Sequence, residues 1–329
     1  MKDDRRAWVE QVTGAAVTGV ESISGGSSRA IWRVDLDDGG PLVVREDTGD
    51  GPVAGTPLTL AREAAVYRAL DGTGVPIPQL HATSPDGMAL LLDFVPGGFV
   101  VEPADRDAVS TDVGRCLGLL HGCAGLDLGA LEGDELALWR SIADERCGAF
   151  ASPAAGAALD RLDGLDWPAP TVLCHGDAGA GNFLHEGGRV TALLDWEFAH
   201  AGDPHDDLAW VTVRNPLMGS PLDLAAVFAG WGRPVDRTLV ERYRVLVLVR
   251  MLVSCDASMN WFDGAETKAN RAQSMLRPLL GHLVGRAAAV AGIPLDATLV
   301  ADAEQAWRAS PLHRRAGDAL ALTDLGAVL

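Results

Sequence analysis

The sequence predicts an α+β chain in two lobes, an antiparallel sheet over residues 1–95 and a mainly helical body over 96–329. Three observations carry this. The chain has 329 residues, more than a single hydrophobic core usually serves. Before residue 95, short apolar runs with alternation are separated by turns rich in Gly, Ser and Pro, which reads as strands. After residue 105 apolar residues recur mostly at helical spacing, broken by one polar stretch, 173–210, where acids, Asn and His crowd together.

Composition narrows the function. Hydrophobic residues make up 48% of the chain, enough for a well-buried globular protein. Lys and Arg number 27 against 45 Asp and Glu, a net charge of −18, and no basic patch is visible. Duplex binding needs phosphate neutralisation, so no nucleic-acid partner is expected. An acidic field draws cationic small molecules towards a cleft, although solubility alone explains the same charge. Cys116, Cys123, Cys147, Cys174 and Cys255 form no C-x-x-C pair. They fit buried apolar positions in a reduced cytoplasm. The start, Met1-Lys2-Asp3-Asp4-Arg5-Arg6, has no apolar run behind it, and no signal peptide is expected. The longest apolar runs are broken within about ten residues, short of the ~20 that a membrane span needs. A cytoplasmic protein without a membrane partner is the expectation. Oligomeric state is not legible.

In chain order, residues 7–17 suggest an amphipathic helix. Residues 20–36 read as strand, turn and strand around Gly25, Gly26, Ser27 and Ser28. Such glycines leave backbone N–H groups open to phosphate oxygens, and an ordinary hairpin turn has the same composition. Leu42-Val43-Val44-Arg45 is a third strand, and 46–57 is linker-like. Residues 60–70 form a helix carrying Glu63, after which Val75-Pro76-Ile77-Pro78 forces an extended path. Strands at 80–82 and 89–94 complete a five-stranded antiparallel sheet with one packed helix. Phe94-Val95-Pro96-Gly97-Gly98 follows as a hinge or plain linker. A helix over 105–121 carries Val109, Val113, Leu117 and Leu120, with His121 as a core or capping residue. Segments 136–150 and 153–162 are helical or irregular, and 222–231, 236–254, 270–291 and 301–309 are helices.

The polar stretch carries the chemistry. Glu186-Gly187-Gly188 folds 182–185 back on 190–194, which brings Asn182 and Asp195 to one end, with Asp177 just before them. Such oxygen-bearing side chains suit a hard cation such as Mg²⁺ together with a hydroxyl to be deprotonated. The spacing H-x-D-x-x-x-x-N, then an Asp after a hairpin, matches a kinase catalytic loop. A hydrophilic loop whose acids cap turns explains one Asp, but not four residues in register.

His175-Gly176-Asp177, Asn182 and Asp195-Trp196-Glu197, followed by Gly202-Asp203-Pro204-His205-Asp206-Asp207-Leu208-Ala209-Trp210, resemble aminoglycoside phosphotransferases and choline-kinase-like small-molecule kinases. The resemblance is greatest to the bacterial branch that also contains kinase domains fused to acyl-CoA dehydrogenases. It implies a two-lobed protein-kinase-like fold, with residues 1–95 as the nucleotide-binding lobe and 96–329 as the catalytic and acceptor-binding lobe. It implies transfer of the γ-phosphoryl group of ATP, GTP not excluded, to a hydroxyl of a small molecule. Asp177 is then the base, His175 shapes its loop, Asn182 and Asp195 hold Mg²⁺, and Asp207 braces the loop. Gly25, Gly26, Ser27 and Ser28 cover the phosphates, and the backbone at Phe94 and Val95 meets the adenine edge. Arg45 stands where many aminoglycoside kinases have Lys, and pairs with Glu63 unless both are surface charges. Asp256, Trp261, Asp263 and Glu266 suggest a pocket for ammonium groups and a ring, or a solvated interhelical loop. The expected acceptor is neutral or cationic, with an aminoglycoside as one candidate and a hydroxyacyl-CoA, sugar or amino alcohol as alternatives. The rival of another class is a nucleotide-binding pseudokinase scaffold, against which the intact Asp177, Asn182 and Asp195 argue.

Overall fold

The computed structural model describes residues 1–23, 29–49, 54–131, 133–217, 221–261 and 268–329. The turn with Gly25, Gly26, Ser27 and Ser28, and the acceptor candidates Asp263 and Glu266, lie outside the described residues.

Helix α1 (Asp3–Thr13) opens on Asp3 and Asp4, acids that favour a helix N-terminus. It ends earlier than its apolar pattern suggested. Gly14 takes a left-handed conformation and donates to Glu10 O, so Val17 begins β1 (Val17–Ser22). Then come β2 (Ala30–Leu36), β3 (Leu42–Glu46), α2 (Leu60–Leu70), β4 (Leu80–Thr83) and β5 (Ala89–Asp93). The sheet is antiparallel throughout, in the order β1-β2-β3-β5-β4. Alternation along β5 sends Ala89 and Leu91 to one face, where they meet Trp8, Val9, Val34 and Val44. Leu90 and Leu92 point the other way, into the main core with Ala64, Tyr67 and Leu70 of α2. Arg45 lies opposite Leu90, so its side chain emerges on the α2 side.

The helical body contains α3 (Arg106–Leu120), α4 (Glu135–Arg146), α5 (Pro153–Asp163), β6 (Val172–Cys174), β7 (Phe183–Glu186), β8 (Arg189–Leu193), β9 (His200–Gly202), α6 (His205–Arg214), α7 (Leu224–Trp231), α8 (Arg237–Trp261), α9 (Lys268–Val290), α10 (Ala297–Ala309) and α11 (Pro311–Ala316). Helix α8 is its axis, with α4, α5, α6 and α9 packed around it. It is buried nearly all round from Tyr243 to Arg250, the pattern of a central helix. No helix among the described residues is long and apolar enough to cross a membrane. All five cysteines are free, and burial pushes the thiols of Cys116, Cys147 and Cys255 up to about 12, which leaves them unreactive.

Hydrogen bonds at several points hold the sheet to the helical body. Gly98 and His185 exchange backbone hydrogen bonds at 3.0 Å, which pins the chain after β5 to the β7–β8 hairpin. Thr191 Oγ1 donates to Pro96 O at 3.0 Å. Gly97, at φ +142°, fits there because a Cβ would meet Thr191 Oγ1 at 2.9 Å. Leu193 N donates to Pro76 O at 2.8 Å, and Arg62 on α2 donates to Ala199 O at 2.9 and 3.1 Å.

Candidate active site

The loop after β6 is built on α6. Asp207, in the first turn of that helix, accepts from His175 N at 2.8 Å and Gly176 N at 2.9 Å. It also accepts from His121 Nε2 at 2.9 Å. Trp231 Nε1 donates to His121 Nδ1 at 2.9 Å, so the proton on His121 sits on Nε2 and points at Asp207. Burial pushes the Asp207 carboxyl up, but the bond from His121 and the surrounding charges and donors outweigh it, so the group lies below its usual range. Gly176 has φ +77°, and a Cβ there would lie 2.0 Å from Phe198 O. Only glycine passes this point. His175 is fully buried. Its Nε2 donates to Leu194 O at 2.9 Å, and its Nδ1 accepts from Asp177 N at 3.3 Å. Its ring packs on Trp196 at 4.5 Å. Both ring nitrogens are occupied, so His175 ties the loop to the end of β8 rather than meeting a reacting atom.

Asp177 is held from two sides. Asn182 Nδ2 donates to Asp177 O at 2.8 Å and to Asp177 Oδ2 at 2.7 Å. Arg214, from the last turn of α6, donates to Oδ1. The charge of Asp177 raises the Arg214 pKa further, against the effect of burial. Sequence reasoning missed Arg214, because the motif was followed only as far as Trp210. Read as a helix, residues 205–214 put Asp207 and Arg214 two turns apart on one face, and both then point at the loop.

Leu194 N donates to Asn182 O at 2.8 Å, which sets Asp195 beside Asn182. Asp195 is the one non-glycine with positive φ among the described residues, at φ 66° and ψ 65°. Aspartate tolerates this region better than most residues, and such strain clusters at functional sites. Across the joint, Arg45 Nη2 donates to Asp195 Oδ1 at 2.6 Å. Arg45 Nε lies 2.8 Å from Glu63 Oε2, and Glu197 is 3.9 Å away. Burial works against the Arg45 charge, but Glu63, Asp195 and Glu197 more than offset it. The two residues predicted to pair are therefore in contact, and their pair reaches the acid predicted to hold metal.

An oxygen donor set remains. Asn182 spends its amide nitrogen on Asp177, which leaves its Oδ1 available, and Asp195 keeps the oxygen that Arg45 does not use. Two oxygens, one of them charged, fit a hard cation shared with phosphate. Phe94 and Val95 lie half-buried just after β5, with the Arg33 guanidinium 4.6 Å from the Phe94 ring centroid. Asp256 faces inward instead. It is fully buried, accepts from Arg277 Nε at 2.5 Å and Ser152 N at 2.8 Å, and burial pushes its carboxyl up. Trp261 is 39% exposed at the end of α8. Among the described residues, no hydrogen bond or ion pair joins either of them to the Asp177 cluster.

The loop, hairpin and Arg45–Glu63 pair occupy one continuous segment of chain, and the sequence profile of the phosphotransferase enzyme family matches residues 19–246. The chain belongs to that family. It is 26% identical over 210 residues to mouse acyl-CoA dehydrogenase family member 10, a stretch that is 56% of this chain and 19% of that protein. The match thus spans about a fifth of the curated relative's length. Among solved structures, a choline/ethanolamine kinase family protein from Mesorhizobium loti has a TM-score of 0.62 and 22% identity, covering 93% of this chain and 98% of that one. A macrolide 2'-phosphotransferase from Brachybacterium faecium has a TM-score of 0.55 and 19% identity, covering 83% and 97%. An aminoglycoside phosphotransferase APH(4)-Ia, in complex with ADP and hygromycin B, has a TM-score of 0.59 and 18% identity, covering 88% and 99%. These likenesses establish the kinase-like fold of this chain.

Proposed function

We propose that this chain transfers the γ-phosphoryl group of ATP to a hydroxyl of a small molecule. The observation that carries the reading is the Asp177 carboxylate, fixed by Asn182 and Arg214 beside Asp195. Asp177 accepts the hydroxyl proton while the acceptor oxygen forms its bond to γ-phosphorus and the bond to ADP breaks. An acid held in one orientation needs no reorganisation at that moment. Mg²⁺, when bound through Asn182 and Asp195, neutralises charge on the nucleotide phosphates. Arg45 serves the same phosphates from the sheet side, with Glu63 as its anchor, and His175 and Asp207 keep the loop in place. Residues 1–95 act as the nucleotide lobe and 96–329 as the catalytic and acceptor lobe, hinged at Phe94 and Val95.

The solved relatives named above carry ADP and an aminoglycoside in one case, which supports nucleotide use and a hydroxylated acceptor. With Asp256 committed to Arg277 and Ser152, the acidic cluster that favoured an aminoglycoside is reduced by one member. A panel of aminoglycosides, amino alcohols, sugars and hydroxyacyl-CoAs, read by ADP release, decides among acceptors. In the same assay Asp177→Asn loses about 10²–10⁴-fold in turnover, with nucleotide binding nearly unchanged. Turnover within about twofold of wild type overturns the base assignment. A scaffold would bind nucleotide and show no transfer to any acceptor.

A further inference from the structure

A cavity of about 500 Å³ lies between α8, α9, α10 and the chain after α11. None of Asp177, Asn182, Asp195 and Arg45 lines it. The volume suits a small organic molecule. One part of its wall is apolar, with Leu283, Leu320 and the buried Trp307, whose ring is stacked by His282 at 6.3 Å and met edge-on by His313 at 5.0 Å.

The polar part is unevenly satisfied. Arg244 is 2% exposed, with Nε on Thr212 Oγ1 at 2.8 Å and Nη1 3.3 Å from Glu241. Its Nη2 is buried and has no hydrogen-bond partner in the protein. A buried guanidinium N–H without an acceptor is costly, so the position selects for an acceptor from outside the chain. Burial lowers the Arg244 pKa, and Glu241 only partly offsets it. The lining acids already face arginines: Glu241 faces Arg244, Glu304 lies 2.5 Å from Arg308, and Asp324 lies 3.2 Å from Arg237. Arg286, exposed on α9, adds a guanidinium to those of Arg244 and Arg308 in the lining, and its charge reaches Glu304.

We propose that this cavity binds a small amphipathic anion, its carboxylate or phosphate head on Arg244 and Arg286 and its flat apolar body against Trp307, Leu283 and Leu320. The site is coupled to the catalytic loop through α6. Thr212, which holds Arg244, lies two residues from Arg214, which holds Asp177. The turn Asn215–Leu217 also packs on Gly317–Leu320, part of the cavity wall. The site stands on binding alone, independently of the phosphotransfer reading.

The test is calorimetric titration of the full chain with 2-naphthoate, 2-naphthamide and 2-naphthylmethylamine, with and without ADP and Mg²⁺. The carboxylate binds about tenfold or more tightly than the neutral and cationic analogues, and ADP does not displace it. Arg244→Gln weakens it about tenfold or more, and Arg286→Gln, at an exposed position that spares the fold, weakens it severalfold. Equal binding of the three probes, displacement by ADP, or indifference to both substitutions overturns the proposal. Altered ATP turnover on binding, without consumption of the probe, makes the occupant an effector. Phosphorylation of 6-hydroxy-2-naphthoate instead places the probe at Asp177 and overturns the proposal.

Discussion

Asp207→Asn separates the role of the α6 brace from that of the base. The wild-type carboxylate accepts three N–H donors, from His175, Gly176 and His121, inside a fully buried site. An asparagine offers one oxygen and a donor group. If the oxygen keeps His175 and His121, its NH₂ faces the Gly176 N–H, and two donors meet with no acceptor. His121 cannot relieve this by moving its proton, because Trp231 Nε1 donates to Nδ1. The stranded Gly176 donor costs about 1–3 kcal/mol, and loss of charge assistance in the two remaining bonds adds about 0.5–1 kcal/mol each. Burying an amide instead of a carboxylate returns part of this, so a net loss of about 2–4 kcal/mol is expected. Urea unfolding measures it as a lower midpoint at unchanged slope. The pH dependence has a defined sign. Both Asp206 and Asp207 lie below the ordinary value of 3.8 in the folded chain. Their stabilisation is therefore complete above about pH 4 and is lost as pH falls through the depressed folded values. Asp207→Asn makes that acid loss shallower. A destabilisation under about 0.5 kcal/mol, or an acid limb identical to wild type, would refute the brace.

Other predictions follow from the same contacts. Arg45→Ala and Glu63→Ala each raise the nucleotide KM and lower kcat, and the double variant costs less than the sum; additive losses in steady-state kinetics mean that the 2.8 Å contact is functionally idle. Asp195→Asn, which retains tolerance of positive φ, weakens Mg²⁺-dependent nucleotide binding more than Asn182→Ala does, since it removes a full charge. Titrating nucleotide with and without Mg²⁺ checks this, and an unchanged Mg²⁺ response in Asp195→Asn rules out the ligand role. Gly176→Ala abolishes transfer, because its Cβ would sit 2.0 Å from Phe198 O; a fully active variant shows that the loop can yield there.

What the sequence by itself determined was local. The β7–β8 hairpin needs only its turn and alternation, so Asn182 and Asp195 came to one end from residues adjacent in the chain. The five strands and α2 were legible for the same reason, and the H-x-D-x-x-x-x-N spacing carried the loop. Where a single glycine changes the backbone, as at Gly14, even a local boundary moved. The tertiary structure decided whatever depends on packing between distant segments. Asp207 and His121 are 86 residues apart, and Arg45 and Asp195 are 150 apart. Strands β6 and β9 have three residues each, too short to show a period, and exist only because they pair. Asp256 looked like the start of a polar loop after an apolar helix. Helix α8 instead runs on to Trp261, and at that turn it presents Asp256 to Arg277 and Ser152 rather than to solvent. A side chain's polarity sets the partner it needs, but only the packed fold sets whether that partner is water, protein or ligand.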